Sequence, residues 1–207
     1  MGTTGTMPTL LQRLNDRFSA VIESVWPSLV KLHVGGGGGA GAGAGTIWHS
    51  DGLVMTIAHV VQRGPVEVVL VDGRRFPARL IAQDEGLDVA ALSIAASGLP
   101  TIPLGESTAL RPGQLVMAVG HPWGVEGAVA TGVVIGGGGQ FGTTPDRREL
   151  VAISLNLRPG NSGGPLTDAR GRLVGINAMV TGPEVGLAVP VHVVKRFLKN
   201  ALGTRAA

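Results

Sequence analysis

An all-β architecture, a barrel or a sandwich, is what the sequence predicts, with one helix near each end. Three observations carry it. Short apolar stretches of strand length recur through the chain without helical periodicity between them. Turn pairs such as Asp51-Gly52 and Asp72-Gly73 punctuate these stretches. Helical spacing is confined to the segment from Leu10 to Val25 and the segment from Val191 to Leu202.

The elements follow in order. Thr9 is a plausible N-cap for a helix carrying Leu10, Leu11, Leu14, Phe18, Val21, Ile22 and Val25 on one stripe, and Pro27 ends it. The first set of strands covers 30–34, 45–48, 53–57, 66–71, 76–81 and 89–94. A second set covers 115–119, 128–135, 150–154, 165–166, 173–179 and 186–189. Two six-stranded barrels fit that count, with residues 1–28 as an N-terminal helical segment, 29–105 as the first barrel and 106–207 as the second plus a C-terminal helix. Between Gly35 and Gly45 the chain is almost pure Gly and Ala. No Lys-Ser/Thr follows it, which excludes a phosphate cradle. A surface loop and a strand at the rim of a site both remain open.

Composition narrows the class. The 207 residues are 44% hydrophobic, enough for a core, and only 3% aromatic, so Val, Leu, Ile and Ala must build it. Cysteine is absent, which removes disulfide staples and a thiol nucleophile. A pI near 10.2 reflects a net charge of only +3 in a chain without Tyr or Cys. The arginines at 74–75, 147–148, 170 and 172 are scattered and lack aromatic interleaving, so no nucleic-acid partner is expected. The N-terminus has no apolar core of a secretory signal, and no apolar run is long enough to span a bilayer. The expected compartment is the cytoplasm by default, or the cell envelope if a leader was removed. No cofactor is expected, and the five histidines lack metal-ligand spacing.

The chemistry lies in Pro159-Gly-Asn-Ser162-Gly-Gly-Pro-Leu166. Glycines on both sides of Ser162 let a turn aim the N–H groups of Gly160 and Ser162 at one point beside the hydroxyl. That is a nucleophile beside an oxyanion hole, although an isolated run of this kind is more often a surface turn. His59, in the apolar run Gly52–Val61, reads alone as a satisfied core histidine; Asp88, opening another strand, reads alone as a turn cap. Together they satisfy each other. Asp88 can accept from His59 Nδ1–H and leave Nε2 to take the Ser162 proton.

The segments Thr56-Ile-Ala-His59-Val-Val, Leu87-Asp88-Val-Ala-Ala-Leu and Pro159–Leu166 resemble the trypsin-like serine proteases, and more narrowly the HtrA/Deg group. Pro103–Ser107, Leu110–Gly120, His121-Pro-Trp-Gly124 with Thr131–Val134, and Gly186-Leu-Ala-Val-Pro190 extend the resemblance from about Val25 to Leu198. It implies two β-barrels with the site in the cleft between them, and a serine endopeptidase of unfolded or damaged polypeptides. A catalytically idle or chaperone-like binding module is the alternative, and an esterase of the same geometry a weaker one.

By the same resemblance the primary pocket falls at Asn156, with walls at Gly186, Leu187 and Ala188. No acid stands there, so a small or medium apolar side chain is expected in preference to Arg or Lys. The Gly-Ala run is then expected to be a mobile loop without chemistry. Arg158 and His121 stand where the family has Asn; Arg158 reads first as a solvated arginine and alternatively as paired with an acid such as Glu184 or one from another subunit, and His121 reads as a turn cap. The resemblance also implies a homotrimer formed through the N-terminal segment, and PDZ domains following the position where this chain reaches Ala207.

Overall fold

Alternation with a period of two shapes the strands. In β1 (Leu29–Val34), Val30, Leu32 and Val34 are buried, and Lys31 and His33 between them are half-buried. β4 (Val66–Leu70) repeats this, with Val66, Val68 and Leu70 inward. One face of each strand thereby meets a core.

The computed structural model describes residues 9–35, 41–62, 64–137, 149–180 and 184–203. β1, β2 (Gly41–His49), β3 (Leu53–Thr56), β6 (Val89–Ser93), β5 (Arg75–Asp84) and β4 close, in that spatial order, into one six-stranded antiparallel barrel. The second barrel is β7 (Leu115–Gly120), β8 (Ala128–Gly137), β9 (Val151–Ile153), β12 (Gly186–Pro190), β11 (Leu173–Val180) and β10 (Pro165–Asp168). The two share one winding order. Closure removes the free strand edges that an open sheet would leave.

The Gly-Ala run departs from expectation. Residues 36–40 lie outside the described residues, but Gly41 to Gly45 belongs to β2 and pairs with Val34 to Val30 of β1. Space is the reason. A Cβ on Gly43 would stand 2.7 Å from Val60 Cγ1 and 3.5 Å from the Ser162 carbonyl oxygen, so only a strand of small residues can pass there. The strand-at-the-rim reading is the one realised.

Each barrel has its own core, Val30, Leu32, Ile47, Val54, Val68 and Leu92 in the first, and Val116, Val134, Ile153, Leu166 and Val174 in the second. A third cluster fills the seam between them. It joins Leu29, Met55 and Ile57 of the first barrel to Val119, Leu173 and Ile176 of the second, and takes in Val191, Val194, Phe197 and Leu198 from α3 (Val191–Leu202). The C-terminal helix is thus a wedge shared by both barrels.

α1 (Leu10–Val25) starts with a capping box: Gln12 N–H donates to Thr9 Oγ1 and Thr9 N–H to Gln12 Oε1. A 3₁₀ turn over Trp26–Ser28, with Pro27 in its first turn, ends it. Only its last residue, Val25, is buried; Leu10 and Leu11 are 78% and 77% exposed. Among the described residues no helix is long and apolar enough to cross a membrane.

His192 resolves as a structural histidine. Its Nε2 lies 2.9 Å from Glu149 Oε2, its Nδ1 lies 2.8 Å from Ser107 Oγ, and its backbone N–H donates to the same hydroxyl. Arg196 donates to the other Glu149 oxygen. This network fastens α3 to the second barrel. His192 and then Arg196 hold the Glu149 carboxyl below its ordinary value of 4.5. A depressed carboxylate contributes stability that is present above about pH 4.5 and lost as the pH falls through its folded value. Glu149→Gln should therefore lower Tm at pH 7 by a few degrees at most, about 1 kcal/mol or less. The difference from wild type should shrink in thermal melts toward pH 3; a gap that persists there would count against this account.

Candidate active site

His59 occupies the first turn of α2 (Ala58–Val61), a short helix that follows β3 and whose Ala58 and Val61 are buried. Asp88 stands just before β6, 5% exposed, with a left-handed backbone (φ 56) that Asp tolerates better than most residues. Its two oxygens both serve His59. Oδ2 lies 2.8 Å from Nδ1, and Oδ1 accepts the His59 backbone N–H at 3.1 Å. A carboxylate held on Nδ1 fixes the neutral ring with its proton there and leaves Nε2 as the acceptor. The His59 side chain is 46% exposed.

Ser162 arrives from the second barrel. Its carbonyl accepts the Ala44 N–H of β2 at 2.9 Å, and Gly43 is wedged between Val60, the neighbour of His59, and that same carbonyl. The serine is therefore brought to the His59 helix by main-chain contact. Its hydroxyl donates to the Ala178 carbonyl at 2.9 Å, and in this rotamer no hydrogen bond joins it to His59. Rotation about one staggered torsion separates this resting position from others.

The turn before Ser162 has a defined form. Asn161 N–H donates to Arg158 O at 2.9 Å across Pro159 and Gly160, and Gly160 has φ +103. Pro at the second position and Gly with positive φ at the third make a type II turn. Its neighbour is the turn His121–Gly124. Trp123 N–H donates to Pro159 O at 3.3 Å and His121 N–H to Gly160 O at 2.9 Å. Because the peptide is trans, a Pro159 carbonyl aimed at Trp123 turns the Gly160 N–H to the opposite side. Among the described residues nothing accepts from the N–H groups of Gly160 or Ser162. Two adjacent amides without partners are what an anionic oxygen requires.

Gly163 and Gly164 strap the serine to both barrels. Gly163 N–H donates to Asn177 O at 2.7 Å, and Asn177 N–H to Gly164 O at 2.9 Å. Gly163 has φ +88, and a Cβ there would overlap the Ala44 carbonyl and the Thr56 hydroxyl.

A trypsin-like peptidase domain model matches residues 43–176, nearly two thirds of the chain. This chain belongs to the trypsin-like peptidase domain family. Its relatives are HtrA-type. Human serine protease HTRA4 is 35% identical over 210 residues, covering 95% of this chain and 44% of its own. A probable periplasmic DegP-like serine endoprotease of Chlamydia trachomatis is 34% identical over 74% of this chain and 32% of its own. The solved HtrA-type protease AlgW with tripeptide superimposes with a TM-score of 0.80 at 28% identity, covering 91% of this chain and 64% of that one. A Yersinia pestis serine endoprotease, 23% identical with a TM-score of 0.81, shares the fold. The chain spans less than half the length of the curated relatives it matches.

Within this trypsin-like peptidase fold, the residues expected to form a pocket are spread along one side of the second barrel. Asn156 is exposed, while Leu155 and Leu157 on either side of it are buried. A Cβ on Gly186 would stand 2.9 Å from the Leu155 carbonyl and 3.0 Å from Leu157 Cγ. Leu187 is 6% exposed, and Ala188 is fully buried in the second-barrel core. Arg158 is exposed. Among the described residues its charge finds an aromatic face rather than Glu184, with Cζ 5.3 Å from the Trp123 ring centroid. Trp123 itself has φ 50, ψ 28, an uncommon backbone for an aromatic residue.

Gly160→Ala should destabilise the protein by about 1–3 kcal/mol, since a Cβ at positive φ would overlap the His121 carbonyl. Chemical denaturation compared with Pro159→Ala tests this; equal stability of the Gly160 variant and wild type would refute it.

Proposed function

We propose that this chain is a serine endopeptidase acting on unfolded or damaged polypeptides, with His59, Asp88 and Ser162 as its triad. The observation that carries the reading is the double engagement of His59 by Asp88, ring and main chain together. It supports one tautomer and one ring position, the two things a general base needs.

In this reading His59 Nε2 takes the proton from Ser162 Oγ as the oxygen attacks a peptide carbonyl. The Nδ1–H···Asp88 contact stabilises the imidazolium that forms. The N–H groups of Gly160 and Ser162 receive the developing oxyanion, each donor being worth roughly 2.7–4 kcal/mol in comparable sites. His59 then returns its proton to the leaving amine as the C–N bond breaks. Water, deprotonated by the same nitrogen, attacks the acyl-serine; the bond to Oγ breaks, the proton passes from His59 back to Ser162 Oγ, and the new carboxyl end is released. Leu157 against Gly186 supports a small or medium apolar side chain before the scissile bond. The exposed Leu10, Leu11 and Leu14 of α1 support assembly with other copies, a homotrimer by family likeness.

A second reading, an idle or chaperone-like binding module, is favoured by one observation: the Ser162 hydroxyl rests on Ala178 O and not on His59. Fluorophosphonate labelling beside casein digestion, in wild type and Ser162→Ala, separates the two. The endopeptidase reading expects labelling and cleavage in wild type and neither in the variant. Labelling without casein cleavage would sink the unfolded-protein substrate, and an unlabelled wild type would favour the idle module. Asp88→Asn keeps a residue that tolerates positive φ, and should lower kcat by about 10⁴, as the same change does in a comparable triad. A fall of less than tenfold would remove Asp88 from its assigned role.

A further inference from the structure

We infer that His121 is a positioning residue for the oxyanion turn, and that its neutral ring is the form that holds the turn in place. The inference rests on the endopeptidase reading for its catalytic consequence, but its structural content stands separately.

His121 is 5% exposed and opens the turn that orients Pro159 and Gly160. Its Nδ1 accepts the Gly127 N–H at 3.3 Å, closing residues 121–127 into a loop. Gly127 is fixed in turn, since a Cβ there would overlap the Trp26 ring. From this closed loop come the two donors that set the oxyanion turn, His121 N–H to Gly160 O and Trp123 N–H to Pro159 O. The Gly160 Cα rests on the His121 carbonyl with no space for a side chain. The chain of contact thus runs from ring to loop closure, from loop to Pro159–Gly160, and from there to the direction of the Gly160 N–H.

An Nδ1 that accepts must lack a proton, so the neutral ring carries its hydrogen on Nε2. That nitrogen is buried and meets no hydrogen-bond partner of good geometry among the described residues, the Val30 carbonyl being a weaker contact that favours a ring proton. Protonation would place an Nδ1–H against the Gly127 N–H, donor against donor, and open the loop. The charged groups facing the ring are Lys31 of β1 and Glu126 of the same loop, paired with each other at 3.3 Å. Trp26, Val69, Leu70 and Val71 close the remaining sides of a small cavity beside it. On the oxyanion side Arg158 is held over Trp123. Burial first, and the Lys31 ammonium second, push the His121 pKa below its ordinary value of 6.5; Glu126 and the Val30 carbonyl oppose them. The unfolded chain then takes up a proton here at a pH where the folded chain does not. Stability from this group is complete above about pH 6.5 and falls as the pH drops from there toward the folded value.

The test has an arm that needs no activity. Backbone amide NMR of Ser162→Ala protein should show the Gly127 and Gly160 resonances titrating together with the His121 ring, at a midpoint below 6.5. In His121→Asn, whose amide oxygen can still accept from Gly127, both resonances should be flat over that range. A Gly160 resonance that is flat with His121 present, or that still titrates without it, overturns the inference. Kinetics on a chromogenic peptide form the second arm. His121→Ala should lower kcat about tenfold at pH 8, with KM changed less. His121→Asn should recover most of that loss, and its acid limb should lose one protonation relative to wild type. A KM effect alone, or an unchanged acid limb in His121→Asn, counts against the inference. A wild type with no turnover would defeat the endopeptidase reading, and the NMR arm would still decide the role of His121.

Discussion

The contact on which the rest of the structure depends is main chain on main chain, the Ala44 N–H donating to the Ser162 carbonyl across the seam between barrels. Backbones can approach this closely only where side chains are missing. Gly43 on one side and Gly163 and Gly164 on the other supply that, each with a neighbour sitting where a Cβ would be. Around the contact, Thr56 Oγ1 donates to the Ala44 carbonyl at 2.8 Å and Thr46 Oγ1 to the Gly163 carbonyl at 3.4 Å. These main-chain and hydroxyl groups are paired, as burial demands, while the Asn161 and Asn177 side-chain oxygens have no partner among the described residues. The serine, in the turn before β10, is consequently held close to the His59 helix by a main-chain bond to β2.

The two halves of the site are held by different physics. His59 and Asp88 are held to each other by two hydrogen bonds between residues of the first barrel. The turn from Arg158 to Asn161 depends on a second turn, 121–124, packed beside it with two donated hydrogen bonds and an arginine laid over a tryptophan. That arrangement is shallower. Trp123 is 72% exposed, so the cation–π contact contributes at the small end, about 0.5–1 kcal/mol.

Much of this was legible in the sequence, for reasons that differ by residue. Strands such as Val66–Leu70 announce themselves by alternation, and the twelve predicted stretches all fall on strands of the two barrels. Ser162 was marked by its glycines, and His59 and Asp88 by each needing a partner. The Gly-Ala strand was misread because β-propensity is carried by side chains, and its role comes from lacking them. Arg158 reads from the sequence as solvated or paired with an acid; its aromatic partner lies on a distant turn whose backbone conformation no local signal gives. The left-handed backbone of Asp88 was equally silent.

The position of α3 has a consequence for synthesis. His59, Asp88 and Ser162 all precede it in the chain, yet Val191, Val194, Phe197 and Leu198 are part of the cluster that fills the seam between barrels. A ribosome would finish the first barrel, and its His–Asp pair, long before the seam could close. Until the helix emerges, the two barrels lack the wedge that fixes one against the other. For a protein proposed to cut unfolded chains, that order offers a safeguard: the growing polypeptide is itself unfolded substrate, and the cleft is completed only after every strand of both barrels has been made.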